Sequence, residues 1–393
     1  MKKLYKNVTL VLPRSLMENA WILLDNDIIR DFGQERFPEA EEILDGNGRY
    51  ICPGFVDLHV HGGGGADFRD STRESYLRAL NVHLHGGTTT ILPTLSSARK
   101  DTLLKSIAVF NELKKEENTL EGIPHLAGMH LEGPYFSLEQ AGAQNPEIIR
   151  NPDPAEYLQI LEAAPYLRRW SIACELPGAL ELGRELFKRG ISASIGHSNA
   201  TTEQAITAYE SGYDCVTHLY SSCSTLHRNG PYREGGVVEA AFLLEDLDVE
   251  LIADGIHLPP LFLKMILRVK GEEHISLITD CIRPGGTEYI EGETAYDDLE
   301  KKHPIYLENH VAVMPDRKSF AGSISTTSNL VRTMVFKCGV DLPTAVRMAS
   351  LNPAGKIGLS NRIGSIEVGK QADLLLLDPS LKVEKVLLCG QEI

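Results

Sequence analysis

The chain has 393 residues, and its 42% hydrophobic and 24% charged fractions are those of a water-soluble globular protein with a large core. Its formal net charge of −15 argues against a nucleic acid or an anionic membrane surface as the partner, and no run approaches the ~20 apolar residues of a membrane span. The seven cysteines are scattered and have no CxxC spacing, which is typical of a reducing cytoplasm and argues against a disulfide scaffold or a thiolate metal site.

In chain order, residues 1–52 come first and alternate apolar and polar positions between turn signals, which predicts short antiparallel strands. The other end of the chain has the same character, with strands predicted at Ile357-Gly358, Asn361–Gly369 and Ala372–Asp378. We therefore expect the two ends, residues 1–52 and 346–393, to pair into one small β-sandwich beside a central domain of residues 53–345.

The central domain alternates short apolar runs with amphipathic helical stretches, such as Thr202–Ser211 and Leu261–Val269, and this rhythm is typical of a parallel sheet. Eight such units close a (β/α)8 barrel of the TIM type, so the predicted fold class is α/β. The fourth run, which ends at Glu175, is ambiguous there because Glu175–Gly178 is also compatible with a loop. The eight runs are Gly54–His61, Thr88–Thr94, Leu126–Glu132, Trp170–Glu175, Ser192–His197, Cys215–Leu219, Glu250–Ala253 and Ile275–Asp280.

The first run carries the clearest chemical signal, because it ends in two histidines and a glycine loop. His59 and His61 are two residues apart on a strand, so their imidazoles face the same side. Neutral imidazole is the commonest protein ligand for transition metals. The glycines that follow allow a sharp turn and leave room above the strand end.

Polar side chains also stand at the carboxyl ends of four other runs, where barrels of this type carry their chemistry. A single histidine there is more often structural, but five coincident strand ends favour a site for one or two divalent ions. Asp280 ends an apolar strand, and beside a metal such a carboxylate can take a proton from water and return it to a leaving group. The residues at these ends are His59 and His61, Glu132, His197, His218 and Asp280.

His83 and His85 have the same spacing as the first pair but a different setting. They follow a helical pattern and precede a glycine, and on a helix the two side chains diverge by about 200°. We expect no ligand role for them. The remaining histidines singled out here are expected to be structural or surface residues: His125, His130, His274, His303 and His310.

With these motifs in place, the chain resembles the amidohydrolase superfamily and, within it, the N-acetylglucosamine-6-phosphate deacetylase family, over essentially its full length. The histidine pair of Pro53–Gly62 is general to the superfamily, whereas His130-Leu-Glu-Gly-Pro134 and Ala253-Asp-Gly-Ile-His257 are more specific to the deacetylases. Further resembling segments are Gly196–Ala200, Thr217–Tyr220, Thr279-Asp280 and Phe320–Ser323.

The resemblance implies a role for each matching residue. Glu132, His197 and His218 would hold the principal ion, zinc or iron, and His59 with His61 a second one. Asp280 would be the general base and then the acid, while His257 would orient the sugar or polarise the acetyl carbonyl. An arginine of the partner subunit in a homodimer holds the 6-phosphate in this family, and Arg233 is its counterpart here. The other implied substrate contacts are Gln144, Ser221, Ser222 and Ser323.

The chain departs from the family around the substrate, where Ser221-Ser-Cys223 replaces the usual Asn-Ala-Met and the loop to Arg233 is longer. Four interpretations therefore stay open at this point. The first is deacetylation of N-acetylglucosamine 6-phosphate, and the second is the same reaction on N-acetylgalactosamine 6-phosphate or another N-acetyl sugar. The third is a different amidohydrolase reaction, such as cyclic-amide opening or base deamination. The fourth is a binding protein without catalysis.

Overall fold

A parallel barrel forms the centre of the protein, as seen in a computed structural model that describes residues 1–299 and 301–393. A strand overlaps each predicted run, and neighbouring strands pair in parallel. The first and last strands meet through a parallel bridge between Val60 and Cys281, which nearly closes the barrel. The eight barrel strands, the third of which is in two pieces, are Phe55–Val60, Thr88–Leu95, His125–Leu126 with Met129–Glu132, Leu167–Ile172, Ser192–Ile195, Tyr213–Val216, Asp248–Leu251 and Ile275–Leu277.

The barrel strands are buried on both faces, which explains why they appear in the sequence as continuous apolar runs. The fourth strand starts earlier than predicted and ends at Ile172, so Glu175 lies in the loop that was the alternative interpretation. Helices cover the outside of the barrel and pack against it with their apolar faces. In the described chain the α-helices are Arg73–His85, Lys100–Glu116, Pro154–Ala163, Ala179–Lys188, Thr202–Glu210, Val237–Leu243, Pro260–Lys270, Thr327–Phe336, Leu342–Ala349 and Leu351–Lys356.

Both ends of the chain build the second β module, as predicted. Tyr50–Pro53 pairs antiparallel with Leu374–Leu377, which joins the amino-terminal and carboxyl-terminal strands into one eight-stranded, mainly antiparallel sheet. Its own apolar core lies apart from that of the barrel. The strands of this module are Lys2–Leu12, Ser15–Asp25, Ile28–Gly33, Glu42–Asp45, Tyr50–Pro53, Leu374–Leu377, Val383–Leu388 and Gln391–Glu392.

Two details of that module differ from the sequence expectation. The first two strands have 11 residues each and are not short. The strands predicted between residues 357 and 369 are wrong, because this segment runs through turns in which Gly358, Gly364 and Gly369 have positive φ. The expected domain boundary at residue 345 falls inside the helix Leu342–Ala349.

Three small antiparallel additions lie outside the barrel and the terminal module, and the first is the pair Gly62–Gly63 and Ala66–Asp67 after the first barrel strand. A hairpin of His227–Asn229 and Tyr232–Glu234 follows the sixth barrel strand. A four-stranded meander between residues 294 and 322 follows the eighth. Among the described residues, no helix combines the length and the apolar character needed to cross a membrane.

Candidate active site

The carboxylate of Glu132 lies at the centre of the predicted cluster, at the end of the third barrel strand. Its Oε1 atom is 3.1 Å from Nε2 of His197 and 3.0 Å from Nε2 of His218. The same carboxylate is 3.5 Å from Nε2 of His59 and 3.4 Å from Nε2 of His61. Four imidazoles from three separate strand ends therefore meet one buried carboxylate.

The other nitrogen of each ring faces an oxygen atom, which fixes the tautomer. Nδ1 of His197 is 2.9 Å from the carbonyl oxygen of Gln140, and Nδ1 of His218 is 3.0 Å from that of Ser221. On the first strand, Nδ1 of His61 lies 3.3 Å from the carbonyl oxygen of Thr94. Nδ1 of His59 lies 3.4 Å from a carboxylate oxygen of Glu250. An Nδ1 atom facing an acceptor carries the proton, so all four Nε2 lone pairs point inward.

This arrangement fits divalent cations. Inward lone pairs face the acceptor oxygens of Glu132 and Asp280, and Nε2 of His59 lies only 3.1 Å from Nε2 of His61. Acceptors that face acceptors in a buried site need protons or positive ions between them. Burial lowers the pKa of His59, yet the charge and hydrogen bond of Glu132 outweigh it and raise that pKa to about 10. A site made of imidazole and carboxylate suits zinc and iron.

Asp280 lies beside the cluster with one carboxylate oxygen directed at the first strand. Its Oδ1 atom is 3.1 Å from Nε2 of His61 and 3.5 Å from Nε2 of His59. Burial raises the pKa of Asp280, but the hydrogen bond with His61 and the nearby imidazoles lower it overall. The carboxylate is therefore ionised and able to accept a proton at neutral pH.

Three of the clustered residues adopt left-handed backbone conformations just after their strands end. The φ angles are 46° for His197, 30° for His218 and 47° for Asp280. Such conformations cost of order 1–3 kcal/mol in a residue other than glycine and concentrate at functional sites. They turn the chain out of the barrel wall and aim the three side chains inward.

Sequence reasoning missed Asp57, which lies beneath the histidine pair on the first strand. Its carboxylate accepts hydrogen bonds from the hydroxyl of Thr279 at 2.6 Å and from the backbone N–H of His59 at 3.3 Å. Burial raises the pKa of Asp57 to about 6. It ties the first strand to the eighth just before Asp280. A charged residue inside an apolar run was the available signal.

A buried ion pair was also missed. Arg169 on the fourth strand lies 2.7 Å from Glu250 on the seventh, and both side chains are at most 4% exposed. Glu250 also faces Nδ1 of His59 at 3.4 Å. The ion pair of Arg169 and Glu250 therefore holds the imidazole of His59 in place from inside the barrel. Arg169 also donates to the hydroxyl of Ser194 at 2.7 Å.

His257 lies on the loop after the seventh strand and is held by Asp254. Its Nδ1 atom is 2.7 Å from Oδ2 of Asp254, whose Oδ1 accepts the backbone N–H groups of Ile256 and His257. The ring of Phe320, from the meander, packs against the imidazole with a centroid distance of 4.6 Å. In the part of the chain that the structure describes, Nε2 of His257 forms no hydrogen bond.

Two of the predicted substrate contacts, Gln144 and Ser221, touch the cluster itself, and a third, Ser222, touches the residue after His197. Gln144 donates to Oε2 of Glu132 at 2.7 Å, and its own amide oxygen accepts the backbone N–H of Ser97 at 3.1 Å. Ser221 provides the carbonyl that holds His218. The carbonyl of Ser222 accepts the backbone N–H of Ser198.

Two other predicted contacts do not reach the cluster within this chain. Ser323 is fully buried, and its hydroxyl donates to the carbonyl of Thr279 at 2.5 Å while it accepts the N–H of Ser325, so it supports the loop of Asp280. Arg233 is exposed on the hairpin and forms no ion pair with any residue that the structure describes.

The histidines expected to have no ligand role are held by protein groups. His83 is buried in the helix Arg73–His85, with Nε2 2.8 Å from the carbonyl oxygen of Gly62, and burial lowers its pKa to about 4. His130 contacts the hydroxyl groups of Ser171 and Thr94 at 2.8 and 3.2 Å. Neither faces Glu132 with a ring nitrogen, although the ring of His130 packs edge-on against that of His59 at a centroid distance of 4.6 Å.

Comparison with known proteins relates the whole chain to a family of enzymes. The model of the amidohydrolase family matches residues 50–393. The chain is 30% identical to an N-acetylglucosamine-6-phosphate deacetylase of Lysinibacillus sphaericus over 98% of this chain and 96% of the relative. It is 32% identical to an N-acetylgalactosamine-6-phosphate deacetylase of Escherichia coli O157:H7 over 90% of each chain.

A solved structure shares the whole fold. It is a mutant of the N-acetyl-D-glucosamine-6-phosphate deacetylase from Mycobacterium smegmatis in complex with N-acetyl-D-glucosamine-6-phosphate. The TM-score is 0.88 at 30% identity, and the match covers 100% of this chain and 98% of that one.

Proposed function

The chain belongs to the amidohydrolase family, within its N-acetylglucosamine-6-phosphate deacetylases, and we propose on that premise that it removes the N-acetyl group of an amino-sugar 6-phosphate. The products are acetate and the free amine of the sugar phosphate. The observation that carries the proposal is the position of Asp280, 3.1 Å from His61 and next to four inward-facing imidazoles around Glu132.

Glu132, His197 and His218 would hold the principal divalent ion, because one oxygen of Glu132 lies within 3.1 Å of both rings. His59 and His61 would hold a second ion, since their Nε2 atoms and Oδ1 of Asp280 lie within 4.8 Å of one another. Zinc and iron are the ions that this donor set favours. When bound, such an ion polarises the acetyl carbonyl and makes water more acidic.

Asp280 would carry the proton through the reaction. As a base it takes a proton from the water that adds to the acetyl carbon. As an acid it returns that proton to the nitrogen, and the carbon–nitrogen bond breaks with the amine as the leaving group. General acid–base groups typically contribute 10²- to 10⁴-fold to a rate.

His257 would bind the acetyl oxygen through Nε2. Asp254 holds Nδ1 at 2.7 Å and so orients the ring, and a ring that also carries a proton on Nε2 would donate a hydrogen bond to that oxygen. Such a donor stabilises negative charge that develops on the oxygen in the transition state.

The phosphate contact would come from a second copy of the chain in a homodimer. Arg233 lies on an exposed hairpin and has no ion-pair partner among the described residues of its own chain. A guanidinium suits a phosphate because it donates two parallel hydrogen bonds. It would also supply positive charge that an acidic protein of net charge −15 needs for an anionic substrate. The seven unpaired cysteines support a cytoplasmic location.

The test is acetate release by the metal-loaded protein. The panel contains N-acetylglucosamine 6-phosphate, its galactosamine epimer and the unphosphorylated sugars, with dihydroorotate and hydantoin for the alternative amidohydrolase reactions. We expect turnover of a sugar 6-phosphate, and its absence throughout the panel would reject the proposal. The galactosamine epimer is included because one of the relatives is named an N-acetylgalactosamine-6-phosphate deacetylase.

Asp280→Asn tests the mechanism separately. We expect it to lower kcat at least 10²-fold, with metal content near that of the unmodified protein. Turnover near the unmodified level would remove Asp280 from the reaction. Asp316→Asn, at an exposed turn in the meander region, is the matched control and should leave kcat unchanged.

A further inference from the structure

A second group of metal-ligating side chains lies between the barrel and the terminal β module. His125 begins the third barrel strand, Asp373 precedes the module strand Leu374–Leu377, and Cys389 follows the strand Val383–Leu388. Nε2 of His125 is 3.3 Å from Oδ2 of Asp373 and 3.7 Å from Sγ of Cys389. The three ligand atoms lie within 4.8 Å of one another.

The turn that carries Cys389 places the thiol in this group. Cys389 and Gly390 form the two-residue connection between Val383–Leu388 and Gln391–Glu392, and both have positive φ, 49° and 73°. Turns of this kind favour Asn-Gly or Asp-Gly. The backbone N–H of Cys389 donates to Oδ1 of Asp373 at 2.8 Å, which leaves Oδ2 directed at the other two ligands.

A fourth side chain marks the point that the three ligands surround. The amide nitrogen of Gln371 is 2.8 Å from Nε2 of His125, 3.0 Å from Oδ2 of Asp373 and 3.2 Å from Sγ of Cys389. An amide nitrogen has two hydrogens, so it can serve at most two of these three acceptors. A divalent cation at that point would take electron pairs from all three.

The geometry matches that of a small transition metal. With zinc bonds of about 2.0–2.1 Å to nitrogen, 2.0–2.2 Å to oxygen and 2.3 Å to sulfur, a tetrahedral site has ligand-to-ligand edges of about 3.3 to 3.6 Å. The observed His125–Asp373 and His125–Cys389 distances of 3.3 and 3.7 Å are close to those edges. The amide oxygen of Gln371 or a water molecule would complete four-coordination.

Charge favours the same occupant. Asp373 and a deprotonated Cys389 together carry two negative charges, which one divalent cation neutralises. Nε2 of His125 faces both groups, at 3.3 Å from the carboxylate and 3.7 Å from the thiol. Metal binding would displace the proton from this ring and from the thiol.

We propose that His125, Asp373 and Cys389 form a structural binding site for zinc or a similar divalent metal, separate from the cluster around Glu132. His125 and Glu132 stand at opposite ends of the third barrel strand, roughly 20 Å apart at the usual rise per residue. The ion would link the barrel to the terminal module, because the ligands come from both. The proposal does not depend on the deacetylase activity.

The site would be reached from solvent, since the His125 side chain is 30% exposed and Cys389 is half-buried.

The proposed site also revises two expectations from the sequence. His125 was expected to have no ligand role, and the scattered cysteines argued against a thiolate metal site. The group was not visible in the sequence because its members lie far apart in the chain.

The experiment is a Co²⁺ and Zn²⁺ titration of the full-length protein after chelation. A cobalt–thiolate bond gives a charge-transfer absorption in the near ultraviolet, which histidine and carboxylate ligands do not give. We expect this band in the unmodified protein and its loss in Cys389→Ser. Bound zinc, measured by elemental analysis, should fall by one equivalent per chain in Cys389→Ser and in His125→Asn, with unchanged deacetylase activity.

His303→Asn is the matched control. His303 is also paired with a carboxylate, Asp298, at 3.0 Å, but without a cysteine, so its replacement should leave the band and the zinc content unchanged. Absence of the band from the unmodified protein would overturn the proposal, and this result does not depend on the folding of any variant. Equal zinc content in the unmodified protein and both ligand variants would overturn it as well.

Discussion

The side-chain amide of Gln144 connects the predicted substrate loop to the centre of the metal cluster, and its removal is a sharp test of the site. Its nitrogen donates to Oε2 of Glu132 at 2.7 Å, and its oxygen accepts the backbone N–H of Ser97 at 3.1 Å. Gln144→Leu keeps a similar volume and removes both hydrogen bonds. Glu132 would then lose the partner that fixes its second oxygen.

The expected magnitude follows from the charge on Glu132. A hydrogen bond to an ionised group contributes about 1.5–3 kcal/mol, and each ~1.4 kcal/mol is a factor of ten in affinity. We therefore expect Gln144→Leu to weaken the affinity of the principal site for zinc by about 10- to 100-fold. Loss of an outer hydrogen-bond partner of a metal ligand typically has an effect of about the same size.

The assay is zinc competition with a chromogenic chelator, followed by steady-state kinetics at saturating zinc. Gln140→Leu is the matched control. Among the described residues, the Gln140 side chain hydrogen-bonds only to the exposed Asn199, while its backbone carbonyl holds His197 in any variant. The family resemblance instead makes Gln144 a sugar contact. A raised KM for the sugar phosphate with unchanged zinc affinity in Gln144→Leu would refute the reasoning from its bond to Glu132.

Three further outcomes are expected. Arg169→Met leaves the Glu250 carboxylate buried without its partner and should lower the free energy of unfolding by about 3–5 kcal/mol, measured by urea denaturation; an unchanged midpoint would contradict it. Asp254→Asn replaces the carboxylate that holds Nδ1 of His257 at 2.7 Å and should lower kcat/KM about tenfold or more, whereas an effect on KM alone would indicate substrate positioning. Burial holds the pKa of His83 at about 4, so the protein should lose stability as the pH falls from about 6.5 towards 4. His83→Gln should flatten that acid limb, and an identical pH profile would be evidence against the buried neutral ring.

The barrel and its cluster could be predicted from the sequence because both depend on local patterns. Fully buried strands appear as apolar runs, and the next polar residue after each run lies at the carboxyl end of the barrel. The exact strand ends were less accurate. His197 lies two residues beyond the strand end at Ile195, and Asp280 lies three beyond Leu277, and both have positive φ angles.

The supporting network could not be predicted because its partners are distant in sequence and lie inside runs that look apolar. Arg169 and Glu250 meet only after the fourth and seventh strands have been placed in the barrel. Asp57 needs the eighth strand to provide Thr279. The only local signal of such residues is a charged side chain within an apolar run, and it does not indicate which residue is the partner.

The tautomers of the clustered histidines show why the departure at Ser221-Ser-Cys223 leaves the proposed metal site intact. His218 is held by the backbone carbonyl of Ser221, and His197 by that of Gln140, and every residue type supplies such an oxygen. A change of side chain at position 221 therefore keeps the orientation of His218. The same change alters what the loop presents to a bound sugar. Under the proposed function, the metal ligands and the sugar contacts of this loop can therefore change separately, because His218 is held by a backbone atom whereas the sugar would meet side chains.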